Sequence, residues 1–157
     1  MKVADFLSPA STLVEARPLD KPQLLGELAE RAARAVGLDT GPVVSAILAR
    51  EELGSTGVGG GVAIPHARLG GIDQPHGLLV RLKRPIDFAA IDGEPVDVVF
   101  LLLMSDKPKG EQLSALACAS RALRDPKTLA GLRAARTGPD LYAAITGDGA
   151  AAKTAAE

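Results

Sequence analysis

Residues 54–69 read GSTGVGGGVAIPHARL, and the reading of this stretch decides how the rest of the chain is organised. Five glycines fall between Gly54 and Gly61, a short β-branched run ends at Pro65-His66, and Arg68 stands two residues further on. An ordered glycine gives up more conformational freedom than any other residue, so such a cluster needs a local reason. Two nucleotide-binding explanations fail on context. The P-loop requires Gly-Lys-Ser/Thr to complete its glycine run, and no Gly-Lys follows here. The dinucleotide fingerprint follows a strand and opens a helix, whereas here a helix precedes the glycines and a strand follows. What is left is either a flexible connection beside a satisfied histidine or a nest of inward-turned N–H groups that can hold an anion. Arg50 before the loop, Arg68 after it and His66 favour the nest. An imidazole with an ordinary pKa of about 6.5 is substantially neutral at pH 7 and can act as a nucleophile. A nest, two cations and an imidazole suit the temporary custody of a phosphoryl group.

On the N-terminal side, Asp20 caps a helix that begins near Lys21-Pro22, places Leu25, Leu28, Ala32 and Val36 on one face and stops at Gly37. A second helix is predicted from Pro42 to Leu53, with Val43, Ile47 and Leu48 as its apolar side, Arg50 in its last turn and Gly54 as its cap. After the glycines, Val62-Ala63-Ile64 is a short strand that delivers Pro65-His66 at its end. Leu78, Val80 and Leu82 alternate with Arg81 and Lys83 in a half-buried strand. Val96 to Met104 is apolar on both faces beyond Asp97, as a central strand covered on both sides must be. Ile91-Asp92-Gly93-Glu94-Pro95 is turn chemistry, which also accounts for Asp92 and Glu94, with Asp97 at a strand end. The last third is helical. Leu113, Leu116, Ala117, Ser120 and Leu123 form one face, Asp125-Pro126 breaks the run, Leu129 and Leu132 belong to a second helix, and Leu141, Tyr142 and Ile145 to a third after Gly138-Pro139. Strands mixed with helices in this way predict an α/β sandwich. It is expected as a single domain over residues 1–147, with 148–157 as a disordered Ala- and Gly-rich tail.

Composition narrows the function. The 157 residues suit one domain with an independent core. That core is aliphatic, since there is no Trp, one Tyr and three Phe, so stacking on nucleic-acid bases is not expected. The formal net charge is −1 and no run of like charges offers a basic arm. Cys118 is the only cysteine, which excludes an internal disulfide and a cysteine-based metal cluster; in an apolar helical face it reads as an inert core thiol. His76, in Gln74-Pro75-His76-Gly77, reads as a solvated turn residue and forms no zinc spacing with His66. No metal and no cofactor is expected. The N-terminus lacks a secretory h-region, and the longest apolar run, Val98 to Met104, is too short to span a bilayer, so a cytoplasmic location without membrane insertion is expected.

Arg50-Glu51, Gly54-Ser55-Thr56-Gly57 and Gly61-Val62-Ala63-Ile64-Pro65-His66 together resemble the active-site signature of enzyme IIA of the bacterial phosphoenolpyruvate phosphotransferase system. The resemblance is to the fructose/mannitol class, whose type-2 IIA fold implies an α/β/α layered sandwich around a central mixed β-sheet, and most of all to its nitrogen-regulatory branch. It continues through Phe88 to Asp97 into the Phe100–Met104 strand and on to Leu123-Arg124-Asp125 and Leu132-Arg133-Ala134-Ala135. It implies a phosphotransferase component in which His66 is phosphorylated at Nε2, with a transient phosphohistidine, by an HPr-like or nitrogen-branch phosphocarrier protein. It also implies that Arg50 stabilises the phosphoryl group. Arg68 and the backbone of Gly57, Gly59, Gly60 and Gly61 are expected to support the phosphate. The implied role is nitrogen- or potassium-type regulation, through a target such as a sensor kinase or ion-transport protein. No fused IIB, carrier or membrane domain is seen in the sequence, which leans towards regulation; the alternative within the family is a sugar-uptake IIA that passes the group to a IIB cysteine. A non-enzymatic anion- or partner-binding module is the reading from outside the class. Two positions depart from the family pattern. Gly60 stands where many relatives have Asn, and Gln112 aligns with a second histidine, so it can donate an N–H to phosphate but carries no proton.

Overall fold

The computed structural model describes residues 1–107 and 110–147, the side chains of 110–112 excepted; the 148–157 tail and the Gln112 side chain therefore lie outside the described residues. Six strands form one mixed sheet: β1 (Thr12–Ala16), β2 (Gly57–Gly59), β3 (Val62–Ala63), β4 (His66–Leu69), β5 (His76–Ile86) and β6 (Val96–Ser105). β6 pairs antiparallel with β5 along one edge, and parallel with β3 and then β4 along the other. β1 adds to β5 in parallel, and β2 closes the far side as an antiparallel partner of β3. All residues of β6 except Asp97 are buried, because the strand is flanked on both edges and covered on both faces.

Helices α1 (Lys21–Val36) and α2 (Thr40–Glu52) cover one face of the sheet. The Asp20 carboxylate accepts the Gln23 N–H at 2.9 Å, and Gly37 ends α1 with a left-handed φ of 75°. Leu24, Leu25, Leu28, Ala29, Ala32 and Ala33 are the buried side of α1, and Val43 and Ile47 that of α2. Leu48, expected on the apolar side, points outward instead and is 38% exposed. Helices α3 (Gly110–Arg124), α4 (Pro126–Ala134) and α5 (Gly138–Thr146) cover the other face, with Asp125 capping α4 and Thr137 capping α5. The architecture is the expected α/β/α sandwich in one domain.

Three expectations are corrected. His66 does not end a strand but begins β4, after an interruption at Ile64-Pro65. β5 is half-buried only from Arg81 onward; Gly77 to Val80 is buried on both faces, as it lies between β1 and β6. The buried side of α3 is Ala115, Cys118, Ala119 and Leu123, with Leu113 61% exposed and Ala117 turned to solvent. Leu113 instead lines a cavity together with His66, Ala67 and Arg68 of β4.

Gly77 shows how tight the second layer is. A Cβ there would stand 2.7 Å from two ring carbons of buried Phe100, whose ring meets Phe6 edge-on at 6.0 Å. Gly77→Ala is expected to cost about 1–3 kcal/mol through overpacking. Gly26→Ala, within α1 and with nothing within 4 Å of the new Cβ, is expected to gain about 0.5–1 kcal/mol. Urea denaturation of the two variants checks the opposite signs.

Candidate active site

β3 and β4 follow one line along β6: Val62 lies opposite Val98 and His66 opposite Leu102, four residues further along both strands. Proline has no N–H, so the ladder is interrupted at Pro65, although its carbonyl still accepts from Leu102 N at 2.9 Å. Backbone groups alternate in direction along a strand. Because the groups of Gly61 and Pro65 face β6, those of Ile64 face away. The Ile64 N–H donates to Thr56 O at 3.0 Å, and its carbonyl lies 2.9 Å from Nδ1 of His66. A carbonyl can only accept, so in the neutral ring Nδ1 carries the proton and Nε2 keeps its lone pair.

His66 lines a cavity of about 420 Å³ with Arg50, Arg68, Ala46, Ala49, Leu53, Ala67, Met104, Leu113 and Leu116. Arg50 is in the last turn of α2, and its Nη1 donates to Gly54 O at 2.8 Å, which holds the guanidinium beside the loop. Arg68 stands two residues after His66 on β4. The His66 pKa lies below its ordinary 6.5, chiefly because burial disfavours the charged ring. The Ile64 hydrogen bond and Glu51 pull upward, and Arg50 and Arg68 push downward. Net, the half-buried imidazole is neutral at pH 7. The mouth of the cavity is apolar, with Leu53 85% and Leu113 61% exposed.

Gly57, Gly59, Gly60 and Gly61 do not line this cavity; they form the β2–β3 hairpin. Gly59, Gly60 and Gly61 have φ of 102°, 67° and 80°, which is the local reason for glycine there. The hairpin's polar groups are committed within the chain. Gly60 N–H goes to Asp92 and Gly57 N–H to Ser55 Oγ, both at 3.0 Å, while Gly60 O accepts from Arg133 at 2.7 Å. Asp92 also accepts Glu94 N–H in its turn, and Asp97 pairs with Arg133 at 3.0 Å, so these acids have the turn and strand-end roles expected. His76 is corrected: it is not a solvated turn residue but opens β5, half-buried, with Nε2 shielded from solvent and its pKa lowered by burial. Among the described residues no group of His, Cys, Asp and Glu could hold a metal ion. Val62 and Ile64 are buried in the core, Val58 is exposed but does not line the cavity, and the rim comes from Leu53 and Leu113.

A family model described as phosphoenolpyruvate-dependent sugar phosphotransferase system, EIIA 2, matches residues 5–147. The chain belongs to this family. It is 42% identical over 145 residues to the nitrogen regulatory protein of Bradyrhizobium diazoefficiens, covering 92% of this chain and 95% of that one. It is 35% identical over 147 residues to the nitrogen regulatory protein of Escherichia coli, covering 93% and 90%. The crystal structure of nitrogen regulatory protein IIA-Ntr from Neisseria meningitidis superimposes with a TM-score of 0.86 at 30% identity, over 92% of this chain and 99% of that one. As an enzyme IIA domain the chain has a phosphotransferase role, and no helix among the described residues is long and apolar enough to cross a membrane.

Of the residues expected in the enzyme IIA site, the fold brings His66, Arg50 and Arg68 to one cavity and keeps the hairpin glycines behind it. Reading the sequence missed Leu53 and Leu113 as rim, and passed over Glu51 and Thr56 although both lie in the signature. An apolar residue just past a helix end, as Leu53 is, was the available signal. Both histidines have lowered pKa values, so between those values and about 6.5 the unfolded chain binds more protons than the folded one. Stability is therefore expected to fall as pH drops below about 6.5. Histidine NMR titration should give a His66 midpoint below 6.5 that moves upward in Arg50→Gln, because a repelling cation is removed.

Proposed function

We propose that His66 accepts a phosphoryl group at Nε2 from the phosphohistidine of an HPr-like or nitrogen-branch carrier, and that the phosphorylated state serves as a regulatory signal of the nitrogen or potassium type. The observation that carries this reading is the bond from His66 Nδ1 to the Ile64 carbonyl, which leaves Nε2 as the ring's available lone pair in a cavity shared with two guanidiniums. As the N–P bond to Nε2 forms, the N–P bond of the donor breaks. The proton on Nδ1 stays where it is, and the ring takes on imidazolium character that the Ile64 carbonyl stabilises. Such transfer asks the protein for positioning and charge stabilisation. Arg50 and Arg68 face the phosphoryl oxygens with charge-assisted hydrogen bonds, roughly twice as strong as neutral ones. The glycines act indirectly, by holding the hairpin that delivers β3. Docking of a partner on Leu53 and Leu113 excludes water from the transfer. Phosphorylation adds about −1.5 to −2 charges at one point, a change that a protein docked over the rim can read. The names of the relatives favour the regulatory use over delivery to a IIB cysteine.

Incubation with phosphoenolpyruvate, enzyme I and carrier proteins is expected to add one acid-labile phosphate, lost in His66→Ala and kept in His76→Ala; loss in His76→Ala alone would reassign the site. Arg50→Gln is expected to slow transfer at least about tenfold, with stability within about 1 kcal/mol of the parent. Partners captured from host lysate by the phosphorylated form and by His66→Ala should differ. Rapid stoichiometric transfer to a IIB cysteine, with no partner distinguishing the two forms, would make the chain a sugar-uptake component.

A further inference from the structure

Next to Arg50 stands a carboxylate for which phosphoryl transfer provides no obvious task. The Glu51 side chain is only 6% exposed and lies 2.8 Å from Lys21 Nζ. Its oxygens accept the Thr56 N–H at 3.2 Å and also the Thr56 hydroxyl. Lys21 in turn donates to Phe88 O at 3.1 Å and lies 4.3 Å from the centre of the Phe88 ring, and Ser55 Oγ donates to the same carbonyl at 2.9 Å. A buried carboxylate is tolerated only when paired and hydrogen-bonded, and this one is both. The connection does not stop at Thr56. Thr56 O accepts the Ile64 N–H at 3.0 Å, and Ile64 O accepts from His66 Nδ1 at 2.9 Å. A continuous path thus runs from Glu51 through Thr56 and Ile64 to the imidazole, on the side of the ring away from Nε2.

Resting on the phosphoryl-transfer reading, we propose that Glu51 is a positioning residue: by anchoring Thr56 it fixes the Ile64 carbonyl, and so holds His66 in the Nδ1–H tautomer with Nε2 free. The two neutral tautomers of imidazole exchange readily in water, and only the hydrogen bond made by one nitrogen decides which is populated. Ile64 and Thr56 lie on opposite sides of a stretch holding four glycines, with little stiffness of its own, so the carbonyl needs an anchor outside that stretch. α2 supplies it through Glu51 and α1 through Lys21. The same helix end therefore carries the cation that meets the phosphoryl group and the anion that aligns the ring receiving it. In the phosphorylated state the Ile64 carbonyl holds the Nδ1 proton on the ring, and that proton makes the ring a better leaving group for onward transfer. Anchoring thus bears on acceptance and on the lifetime of the phosphohistidine.

The chain has two histidines, so long-range nitrogen–proton NMR correlation at about pH 8, above the ordinary histidine pKa, reads each tautomer separately, with His76 as the reference for an intact fold. The parent is expected to show His66 in the Nδ1–H form alone. Glu51→Gln and Thr56→Val should each give a mixture of tautomers at His66 with His76 unchanged, together with transfer at least fivefold slower (on the order of one lost hydrogen bond). Thr56→Ser, which keeps the hydroxyl, should recover both properties. A His66 that stays wholly in the Nδ1–H form in both variants overturns the proposal, whatever the transfer rate. If Glu51→Gln does not fold, Thr56→Val decides alone, because it leaves the Lys21–Glu51 pair in place. The tautomer measurement needs no phosphoryl donor. If the parent accepts no phosphate, the functional reading falls while the role of Glu51 is still decided.

Discussion

β6 must satisfy backbone partners on both edges and bury side chains on both faces, and the rest of the molecule is arranged to let it do so. β5 supplies one edge along nearly its whole length, while the other edge is assembled from two pieces in the same register. A proline between those pieces gives up one ladder bond. In a strand buried on both faces this would be an unexplained weakness, but at Pro65 it marks the place where the outer edge turns from structure to chemistry. Ile64 keeps its N–H tied to Thr56 and gives its carbonyl to a side chain two residues away in place of another strand. The histidine is thus placed by the sheet, with the rigidity of its most buried strand behind it.

The charges around that histidine are unbalanced by design of the fold. Arg50 and Arg68 share its cavity, whereas Glu51, next to Arg50 in sequence, is turned inward to Lys21 and Thr56. Positive charge is left facing the imidazole with its nearest carboxylate already engaged. Burial and the two guanidiniums disfavour the charged ring, and under the proposed function the same guanidiniums favour a dianionic group on it. In the proposed transfer one arrangement serves both sides of the reaction, since what discourages a proton on Nε2 encourages a phosphoryl group there.

Much of this was legible from residues alone. Asp20, Gly37, Asp125-Pro126 and Gly138-Pro139 punctuate the helices because their chemistry is local, and the apolar run from Val96 could only be a central strand. The grouping of His66 with Arg50 and Arg68 around one cavity was legible, since a motif preserves spacing. What failed was direction. An apolar run such as Leu113 to Leu123 contains two plausible helical faces, and only the sheet decides that alanines and Cys118 face in while Leu113 faces out. His76 looked like a turn residue from Gln-Pro-His-Gly, but the eleven-residue β5 begins at it. The glycines were read as a cradle for phosphate, whereas left-handed φ and bonds to Asp92 and Arg133 explain the hairpin without a ligand. In each case the deciding partner is distant in sequence, where periodicity carries no information.

The outward turn of Leu113 connects folding to function. Ala115, Cys118, Ala119 and Leu123 form the inner side of α3, while Leu113 at its beginning is exposed and lines the cavity together with Leu53. An exposed leucine is a small loss in the free protein, but apolar area covered by a docked partner is worth roughly 25 cal/mol per Å². Covering the mouth also removes water from around Arg50, Arg68 and the incoming phosphoryl oxygens, and charge interactions strengthen as the local dielectric falls. In the proposed transfer, binding energy collected at the rim would thereby be converted into electrostatic stabilisation at Nε2. Free phosphate would gain no such help, because it cannot close the rim, so on the proposed function the site would favour a phosphoryl group that arrives on a protein.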